Sequence, residues 1–324
     1  RGGRLMPEFV SIFSAGPHCS LQDGGRVGHQ AFGVPEGGAM DRDALILGNR
    51  LVGNPPDAAG LEICLGGLSF SPTIALRIAL TGTAGDRLTI TRTSGEILDV
   101  DAGISVVAEA GDIISTGFFR DTNCAFIAIG SQFDIGAPFG SQSTSANARM
   151  GGIDGRLLAD GDRIPLGQPA PPTPLRQIQT AIFARKTSFH IVPGPQQSWF
   201  EDAAYHQFIE SEWRLTSKMS RMGIRLAGPV ISHRHTADIL SDGIVRGAIQ
   251  IPGDGQPIVM MNDHQTTGGY TKIASICSAD LPAFARLSSA SKITFLPVTQ
   301  TQAEELAIAH QAQIDRIISE MITV

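Results

Sequence analysis

The chain has 324 residues, of which 42% are hydrophobic and 17% are charged, and its formal net charge is −6. This length allows one large or two medium domains with an ample core, and the composition excludes a disordered chain. An acidic balance without a long basic run argues against nucleic acid and anionic membrane surfaces as partners. The 37 glycines and the low aromatic content of 6% favour a β-rich fold with many turns over a helical bundle.

The cysteine pattern and the apolar runs give expectations about the compartment. Four cysteines are widely separated and form no CxxC motif, which predicts reduced core thiols rather than a disulfide framework or a zinc site. No apolar stretch approaches the ~20 residues that a membrane helix needs. The first residues do not resemble a signal peptide, so Met6 is the expected native start and the cytoplasm is the expected location.

Short apolar or alternating runs fill the first half of the chain and predict strands. They lie at 8–13, 61–65, 74–80, 86–91, 103–108, 111–116 and 124–129. In the run at 74–80, the apolar residues Ile74, Leu76 and Ile78 share one face, as a half-buried strand requires. Turn residues separate the runs at intervals of roughly 8–12 residues, which is the spacing of a sandwich or a barrel.

One helix is predicted among these strands, over residues 40–55. Asp41 is suited to the N-cap, and Gly53 and Pro55 are stop signals. Leu45, Leu47 and Leu51 lie between these signals.

The second half of the chain begins with a proline-rich, nearly uncharged segment at 165–182, which predicts a linker or a long crossing loop. More strand patterns follow, and then a helical pattern in which Thr301 and Glu304 predict a capping box. The predicted organisation is an N-terminal β-rich lobe at 8–165, a linker at 166–185, a C-terminal β-rich lobe at 186–300 and a C-terminal helix at 301–324.

Several common chemical motifs are missing from the sequence. There is no GxxxxGK[ST] phosphate loop, no GxGxxG dinucleotide fingerprint and no GxSxG nucleophile elbow. No Met-Lys-Met-like sequence offers a lysine for covalent biotin, and the scattered histidines predict no metal site. The candidate chemistry therefore lies in polar clusters flanked by glycine.

The first polar cluster spans residues 21–41. Asp23, Arg26 and Gln30 offer an acceptor, a forked donor and an amide within one short loop. The loop leads into the predicted helix, whose free N–H groups suit an anion or a polarised carbonyl. The alternative is that Asp23 and Arg26 pair only to hold the loop.

The densest polar cluster spans residues 247–272. Gln250 and Gln256 flank a Pro-Gly turn, and the next turn is crowded by Asp263, Gln265, Thr266, Thr267, Tyr270 and Lys272. A buried polar group without a partner costs about 1–3 kcal/mol, so this turn is either networked internally or completed by a ligand. Gly268 and Gly269 permit close backbone approach and favour the ligand. The alternative is a structural ion pair between Asp263 and Lys272.

Seven blocks in a fixed order resemble the biotin-dependent carboxyltransferase family, over about residues 9 to 298. The blocks read LQDGGRVGHQAFGVPEGGAMD, LGNRLVGNPPDAAGLEICLGG, FGSQST, GGIDGRLLADGD, VPGPQ, SRMGIRLAG and SDGIVRGAIQIPGDGQPIVMMNDHQTTGGYTKI. The family includes the subunit-C proteins of bacterial 5-oxoprolinase, proteins called allophanate hydrolase subunit 2, and a stretch of the carboxyltransferase part of urea amidolyase.

The resemblance implies a mainly β fold with a few helices, built as two cyclophilin-like β-barrel lobes plus a C-terminal helix. It implies an enzyme component that is not autonomous: the subunit-C protein of an ATP-dependent 5-oxoprolinase-like complex, contributing part of the site that opens 5-oxoproline to glutamate. The implied partners are a subunit-B-like protein, a subunit-A-like protein and a small amide substrate, with ATP used by the complex and no covalently bound cofactor.

Two alternatives stay open under the same resemblance. One is a carboxyltransferase component that moves a carboxyl group from carboxybiotin to urea or a related amide. The other, of a different class, is a regulatory protein that binds a subunit-B-like kinase inhibitor.

The resemblance also directs the choice of site residues. Asp263 and Gln265 are predicted to orient an amide-like substrate, and Lys272 is predicted to supply positive charge towards a carboxylate or a developing oxyanion. The predicted substrate-binding residues are Asp23, Arg26, Gln30, Gln250, Gln256, Thr266, Thr267 and Tyr270.

The chain also departs from its relatives. Gln142 stands where relatives tend to carry an arginine, and Met219 and Ser220 stand where they tend to carry an acid. Both departures point to a shifted substrate or a reduced activity.

Overall fold

The computed structural model describes residues 8–120 and 122–324, so the expected start at Met6 lies outside the described residues. The chain divides into two compact units. The first runs to residue 25 and adds residues 37–184 and 316–324, and the second comprises residues 26–36 and 185–315. In the part of the chain that the structure describes, no helix combines the length and apolar character needed to cross a membrane.

Apart from one α-helix and short 3-10 turns, the regular elements in the first half of the described chain are strands. Its elements are β1 (Phe9–Ala15), β2 (His18–Gln22), α1 (Arg42–Val52), β3 (Gly60–Cys64), β4 (Leu68–Pro72), β5 (Leu76–Thr81), β6 (Arg87–Thr91), β7 (Ile97–Asp101), β8 (Ser105–Ala108), β9 (Ile113–Thr116), β10 (Cys124–Ile129), β11 (Ser131–Phe133), β12 (Arg163–Pro169) and β13 (Arg176–Gln177).

The second half mixes strands with three helices. Its elements are β14 (Ser188–Pro193), α2 (Asp202–Glu210), β15 (Trp213–Met219), β16 (Gly223–Ala227), β17 (Asp238–Gly243), β18 (Ala248–Ile251), β19 (Ile258–Met260), β20 (Thr267–Ile276), α3 (Leu281–Ala285), β21 (Lys292–Pro297), α4 (Gln300–Ser319) and β22 (Ile322–Thr323).

Helix α1 begins and ends where its sequence signals predict. The Asp41 side chain accepts a hydrogen bond from the Ala44 amide at 3.0 Å, which satisfies one of the free N–H groups of the first turn. Gly53 adopts the left-handed conformation with φ 87° and closes the last turn. Leu45, Leu47 and Leu51 are all fully buried.

Two sheets share one core in the first unit. The larger sheet has the order β11-β12-β1-β4-β9-β6-β7, and the smaller has the order β2-β3-β10-β5-β8. Both contribute buried side chains to a single cluster, among them Ile12, Phe70 and Leu88 from the first sheet and Ile63 and Ile127 from the second. Burial of this apolar surface on both inner faces is what holds the two sheets together.

The second unit is a closed barrel. Its strands follow the order β14-β21-β15-β16-β19-β18-β20-β17, and β14 also pairs with β20. That extra pairing closes seven strands into a ring and leaves β17 attached to β20. Helix α2 packs against this unit through aromatic rings, and Phe208 of α2 stacks on Phe295 of β21 with centroids 5.0 Å apart. The predicted fold class, mainly β with a few helices and a C-terminal helix, is confirmed.

The capping box of helix α4 lies two residues earlier than predicted. The Thr299 amide donates to Gln302 Oε1 at 2.9 Å, and the Gln302 amide donates to Thr299 Oγ1 at 3.2 Å. The prediction of Thr301 and Glu304 is wrong because Thr299 and Gln302 have the same spacing and follow β21 directly. Glu304 instead accepts a hydrogen bond from Gln300 at 3.1 Å.

Candidate functional site

A cavity of about 450 Å³ opens in the barrel unit, a size typical of sites for small molecules. The hairpin of β15 and β16 forms one side, and residues from β18, β19, β20 and the turn between β19 and β20 form the rest. Three of the residues predicted from the sequence line it, namely Gln250, Gln265 and Tyr270. The structure therefore gathers part of the predicted site around one cavity.

Gln250 is a buried residue whose side-chain donor is unsatisfied. It lies on β18 directly opposite Lys272 of β20, and only 2% of its surface is exposed. Its side-chain nitrogen is buried and finds no hydrogen-bond partner among the described residues. A buried donor left without a partner costs about 1–3 kcal/mol. A ligand oxygen in the cavity that Gln250 lines would remove this cost.

Gly268 makes room for the two glutamine side chains. A Cβ atom at this position would lie 2.5 Å from Ile244 Cδ1, 3.0 Å from Gln250 Nε2 and 3.4 Å from Gln265 Nε2. Any larger residue would therefore push against Ile244 and Gln250. Protein side chains fill the space beside Gly268, and close approach of a ligand to its backbone stays a prediction.

Asp263 forms a buried ion pair with Arg221. Arg221 Nε lies 3.0 Å from Asp263 Oδ2, and a second nitrogen lies 3.0 Å from Oδ1, so the contact is bidentate. The Asp263 amide also donates to the Arg221 carbonyl at 2.7 Å, and the Met261 amide donates to the Met222 carbonyl at 3.0 Å. These bonds fix the turn between β15 and β16, which carries Met222 on the cavity wall.

Lys272 forms an ion pair with Asp242 and not with Asp263. Its Nζ lies 2.7 Å from Asp242 Oδ2 on β17, and it does not line the cavity. The hydrogen bond from Lys272, the Gly243 amide and the charge of Lys272 together hold the pKa of Asp242 below its ordinary value. The alternative read from the sequence, an ion pair between Asp263 and Lys272, is wrong because each residue has a different partner far away in the chain.

Gln256, Thr266 and Thr267 lie outside the cavity lining. Gln256 accepts a hydrogen bond from the Gly228 amide at 3.0 Å and donates one to the Gly228 carbonyl at 3.2 Å, so it ties two loops together. The Thr266 carbonyl accepts from the Ile244 amide at 3.0 Å, and Thr267 begins β20. Their substrate-binding roles stay predictions.

In the first unit, Asp23 organises its own loop. Its Oδ1 accepts from the Gly25 amide at 2.8 Å and from the Ser141 and Ser143 hydroxyls at 2.6 and 2.5 Å. Its Oδ2 accepts from the Gln142 amide at 2.6 Å. The carboxylate thus receives its hydrogen bonds from within the unit and holds residues 141–143 in place.

The other predicted residues of the first polar cluster lie in the segment 26–36, which belongs to the second unit. Arg26 is fully buried, and its amide donates to the Glu36 carbonyl at 2.7 Å. Gln30 begins a single 3-10 turn that ends at Phe32. Binding roles for Arg26 and Gln30 stay predictions.

Sequence reasoning missed several residues of the cavity and its supports. Met219, Met222 and Met260 give it an apolar wall. Arg221 and Asp242 lie within blocks of the family resemblance but were not selected as site residues. In the first unit, Glu62, Cys64 and Cys124 bring three groups able to bind a metal within reach of one another, although the sequence predicted no metal site.

Comparison with known proteins gives consistent relatives. The profile of the carboxyltransferase domain, subdomain A and B, matches residues 32–297. The 5-oxoprolinase subunit-C protein of Escherichia coli is 35% identical over 308 residues, which cover 94% of this chain and 95% of the relative. The protein of the same name from Haemophilus influenzae is 30% identical over 309 residues, with 95% and 97% covered.

A solved structure extends the comparison to a much larger protein. The urea amidolyase of K. lactis superimposes with a TM-score of 0.87 at 26% identity, and the match covers 98% of this chain. It covers only 20% of that protein, so the chain spans a fifth of its length. The bacterial relatives, in contrast, match along nearly their whole length.

Proposed function

The chain belongs to the carboxyltransferase domain family, and we propose that it is the subunit-C component of an ATP-dependent 5-oxoprolinase-like complex. It would contribute part of the site that opens 5-oxoproline to glutamate. Support comes from two bacterial relatives named as 5-oxoprolinase subunit-C proteins, which match over 95% and 97% of their lengths. In this proposal the complex is cytoplasmic and uses ATP, and a subunit-B-like and a subunit-A-like protein are the partners.

The observation that carries the proposal is the buried Gln250 nitrogen beside the cavity. 5-Oxoproline presents a lactam N–H, a lactam carbonyl and a carboxylate. A glutamine amide offers both a donor and an acceptor, so Gln250 and Gln265 complement such a group. Met219 and Met222 offer an adaptable apolar surface for the ring methylenes.

The same donor suits the chemistry of ring opening. When water adds to the lactam carbonyl, negative charge develops on its oxygen, and a donor held in place stabilises that charge. Burial on β18 restricts the Gln250 side chain to the edge of the cavity. Asp263 supports the site indirectly, because its ion pair with Arg221 fixes the turn that carries Met222. In this proposal Asp263 is a positioning residue.

Reconstitution tests the proposal. The chain is purified alone and together with its subunit-A-like and subunit-B-like partners, and 5-oxoproline-dependent formation of glutamate and ADP is measured. We expect turnover only in the complex. Gln250→Leu should lower kcat/KM about 100-fold, since removal of one such donor costs ~10²–10³ in rate.

The matched control is Gln207→Leu, the same change at an exposed glutamine of helix α2. It should leave kcat/KM unchanged. Robust turnover by the isolated chain would contradict the proposal of a multi-protein complex. Wild-type kcat/KM in the Gln250→Leu complex would contradict the role of the cavity.

A second candidate function is transfer of a carboxyl group from carboxybiotin to urea or a related amide. The structural match to urea amidolyase favours it. The two candidates differ in their response to avidin, which sequesters biotin. Avidin should abolish carboxyl transfer and leave 5-oxoproline hydrolysis unchanged.

A further inference from the structure

Three side chains with metal-binding chemistry meet on one face of the smaller sheet of the first unit. Cys64 on β3 lies directly opposite Cys124 on β10. Glu62 precedes Cys64 by two residues and therefore points to the same face of the sheet. The carboxylate oxygen and the two sulfur atoms all lie within 4.8 Å of one another.

The position of the two cysteines in the ladder brings their side chains close. The Leu65 amide donates to the Asn123 carbonyl at 2.9 Å, so Leu65 and Asn123 form a hydrogen-bonded pair. Hydrogen-bonded and non-hydrogen-bonded pairs alternate along antiparallel strands. Cys64 and Cys124 are therefore a non-hydrogen-bonded pair, the type in which opposite side chains approach most closely.

The three side chains differ in burial. Glu62 and Cys124 are each 1% exposed, while Cys64 is half-buried and gives access from solvent. The two sulfur atoms and the Glu62 carboxylate therefore form one compact group that solvent can reach from the Cys64 side.

We propose that Glu62, Cys64 and Cys124 form a binding site for a thiophilic divalent cation of the Zn²⁺ type. Zinc binds sulfur at about 2.3 Å and carboxylate oxygen at about 2.0–2.2 Å, usually with tetrahedral geometry. Two sulfurs bound to one zinc then lie ~3.8 Å apart. The observed limit of 4.8 Å needs only small side-chain rotations to reach that geometry.

The chemistry of binding balances without any redox step. Each thiol releases its proton to water as its sulfur bonds to the metal, and one carboxylate oxygen completes three protein ligands. Glu62 Oε2 already accepts a hydrogen bond from the Met40 amide at 2.6 Å. A carboxylate has two oxygens with about four lone-pair sites, so this bond and a metal bond can coexist. The metal would thereby be linked to the segment that leads into helix α1.

Metal titration of the full-length chain tests the site. Protein stripped of metal by a chelator and kept reduced is titrated with Zn²⁺ in competition with a chromophoric chelator, and with Co²⁺ while absorbance is recorded. We expect one metal ion per chain and a thiolate-to-cobalt charge-transfer band. Cys64→Ser and Cys124→Ser should each weaken binding at least tenfold, because even changes outside the ligand set cost about 10–100-fold.

Cys277→Ser is the matched control, since it is the same change at a buried thiol in the other unit. It should bind metal like the wild type. Cys64 is only half-buried, so Cys64→Ser should keep the fold, as circular dichroism can verify. Absence of metal uptake by the reduced wild type would overturn the proposal, as would unchanged affinity in both site variants. Formation of a Cys64–Cys124 disulfide in air without metal uptake by the reduced chain would also overturn it.

Discussion

Asp23 in the first unit and Gln250 in the second are both buried polar residues beside glycine-rich turns, yet their surroundings differ completely. Asp23 receives hydrogen bonds from a loop of its own unit, including the Ser141 hydroxyl and the Gln142 amide. The Gln250 nitrogen has no partner among the described residues and borders a cavity. Polar residues of similar appearance in the sequence thus hold a loop in place in one unit and leave a donor without a partner in the other.

Two buried charged residues of the barrel unit, like Asp23, find their partners within the protein. Asp263 is engaged by Arg221, and Lys272 is engaged by Asp242. Charges that are buried must be paired, because desolvation of an unpaired ion costs more than most single contacts return. These two ion pairs therefore lie outside the cavity lining, which combines neutral amides and methionines with Lys218 and Arg225.

The largest effect should come from breaking the buried pair. Arg221→Met leaves the Asp263 carboxylate buried without its bidentate partner, which should lower the free energy of unfolding by about 3–5 kcal/mol. Urea unfolding measures this loss. Arg225→Met is the control, because its contact with Asp254 is partly exposed and should contribute less than about 1 kcal/mol. Equal losses in both variants would contradict the supporting role of the Arg221 pair.

A smaller loss of stability is expected when the Asp23 carboxylate, which holds residues 141–143, is replaced. Asp23→Asn removes the charge that strengthens four hydrogen bonds and turns one oxygen into a donor, so stability should fall by about 2 kcal/mol. Thermal unfolding measures the change, and Asp99→Asn on an exposed strand serves as the control. A variant with unchanged stability but reduced turnover in the complex would move Asp23 from the scaffold to the substrate site.

Local features of the fold were predictable from the sequence because their causes lie within a few residues. Asp41 and Gly53 delimit α1 through contacts inside the helix itself. The capping box of α4 was displaced because two threonines in the same stretch have an acid or an amide three residues later. Such ambiguity is resolved only by where the preceding strand ends, at Pro297.

The pairing of site residues was not predictable, because it is set by strand neighbours far apart in sequence. Arg221 and Asp263 are separated by 42 positions, and Asp242 and Lys272 by 30. Gln250 and Gln256 flank the same turn, and nothing local distinguishes the buried one from the one that binds a loop. Only the barrel closure shows which side chain faces the cavity.

Substitution of Gln250 should raise the stability of the chain, whereas substitution of Asp23 should lower it. Gln250→Leu replaces an unpartnered donor with an apolar side chain of similar volume, which should raise the free energy of unfolding by about 1 kcal/mol. The same change should lower activity, as expected of a residue kept for function at the expense of stability. Urea unfolding of the isolated chain measures the gain. A loss similar to that of Asp23→Asn would show that Gln250 has a structural partner.

The smallest effect should follow Lys272→Met. Lys272 is buried, but its partner Asp242 is 52% exposed, so solvent screens the pair and the change in stability at neutral pH should be slight. Because the folded-state pKa of Asp242 is lowered, chiefly by the hydrogen bond from Lys272, the pair stabilises the fold above the ordinary pKa of the carboxyl. That contribution is lost as the pH falls through the lowered pKa.

Removal of the Lys272 ammonium group should therefore change the pKa of Asp242 more than any other property of the protein. In the Lys272→Met variant the pKa of Asp242 should rise towards its ordinary value, which NMR titration measures, and the two proteins should converge in stability in acid. Turnover of the complex should change little, since the ammonium group faces Asp242. A large loss of kcat/KM with an unchanged melting temperature would instead give Lys272 the direct role in charge stabilisation that the sequence predicted.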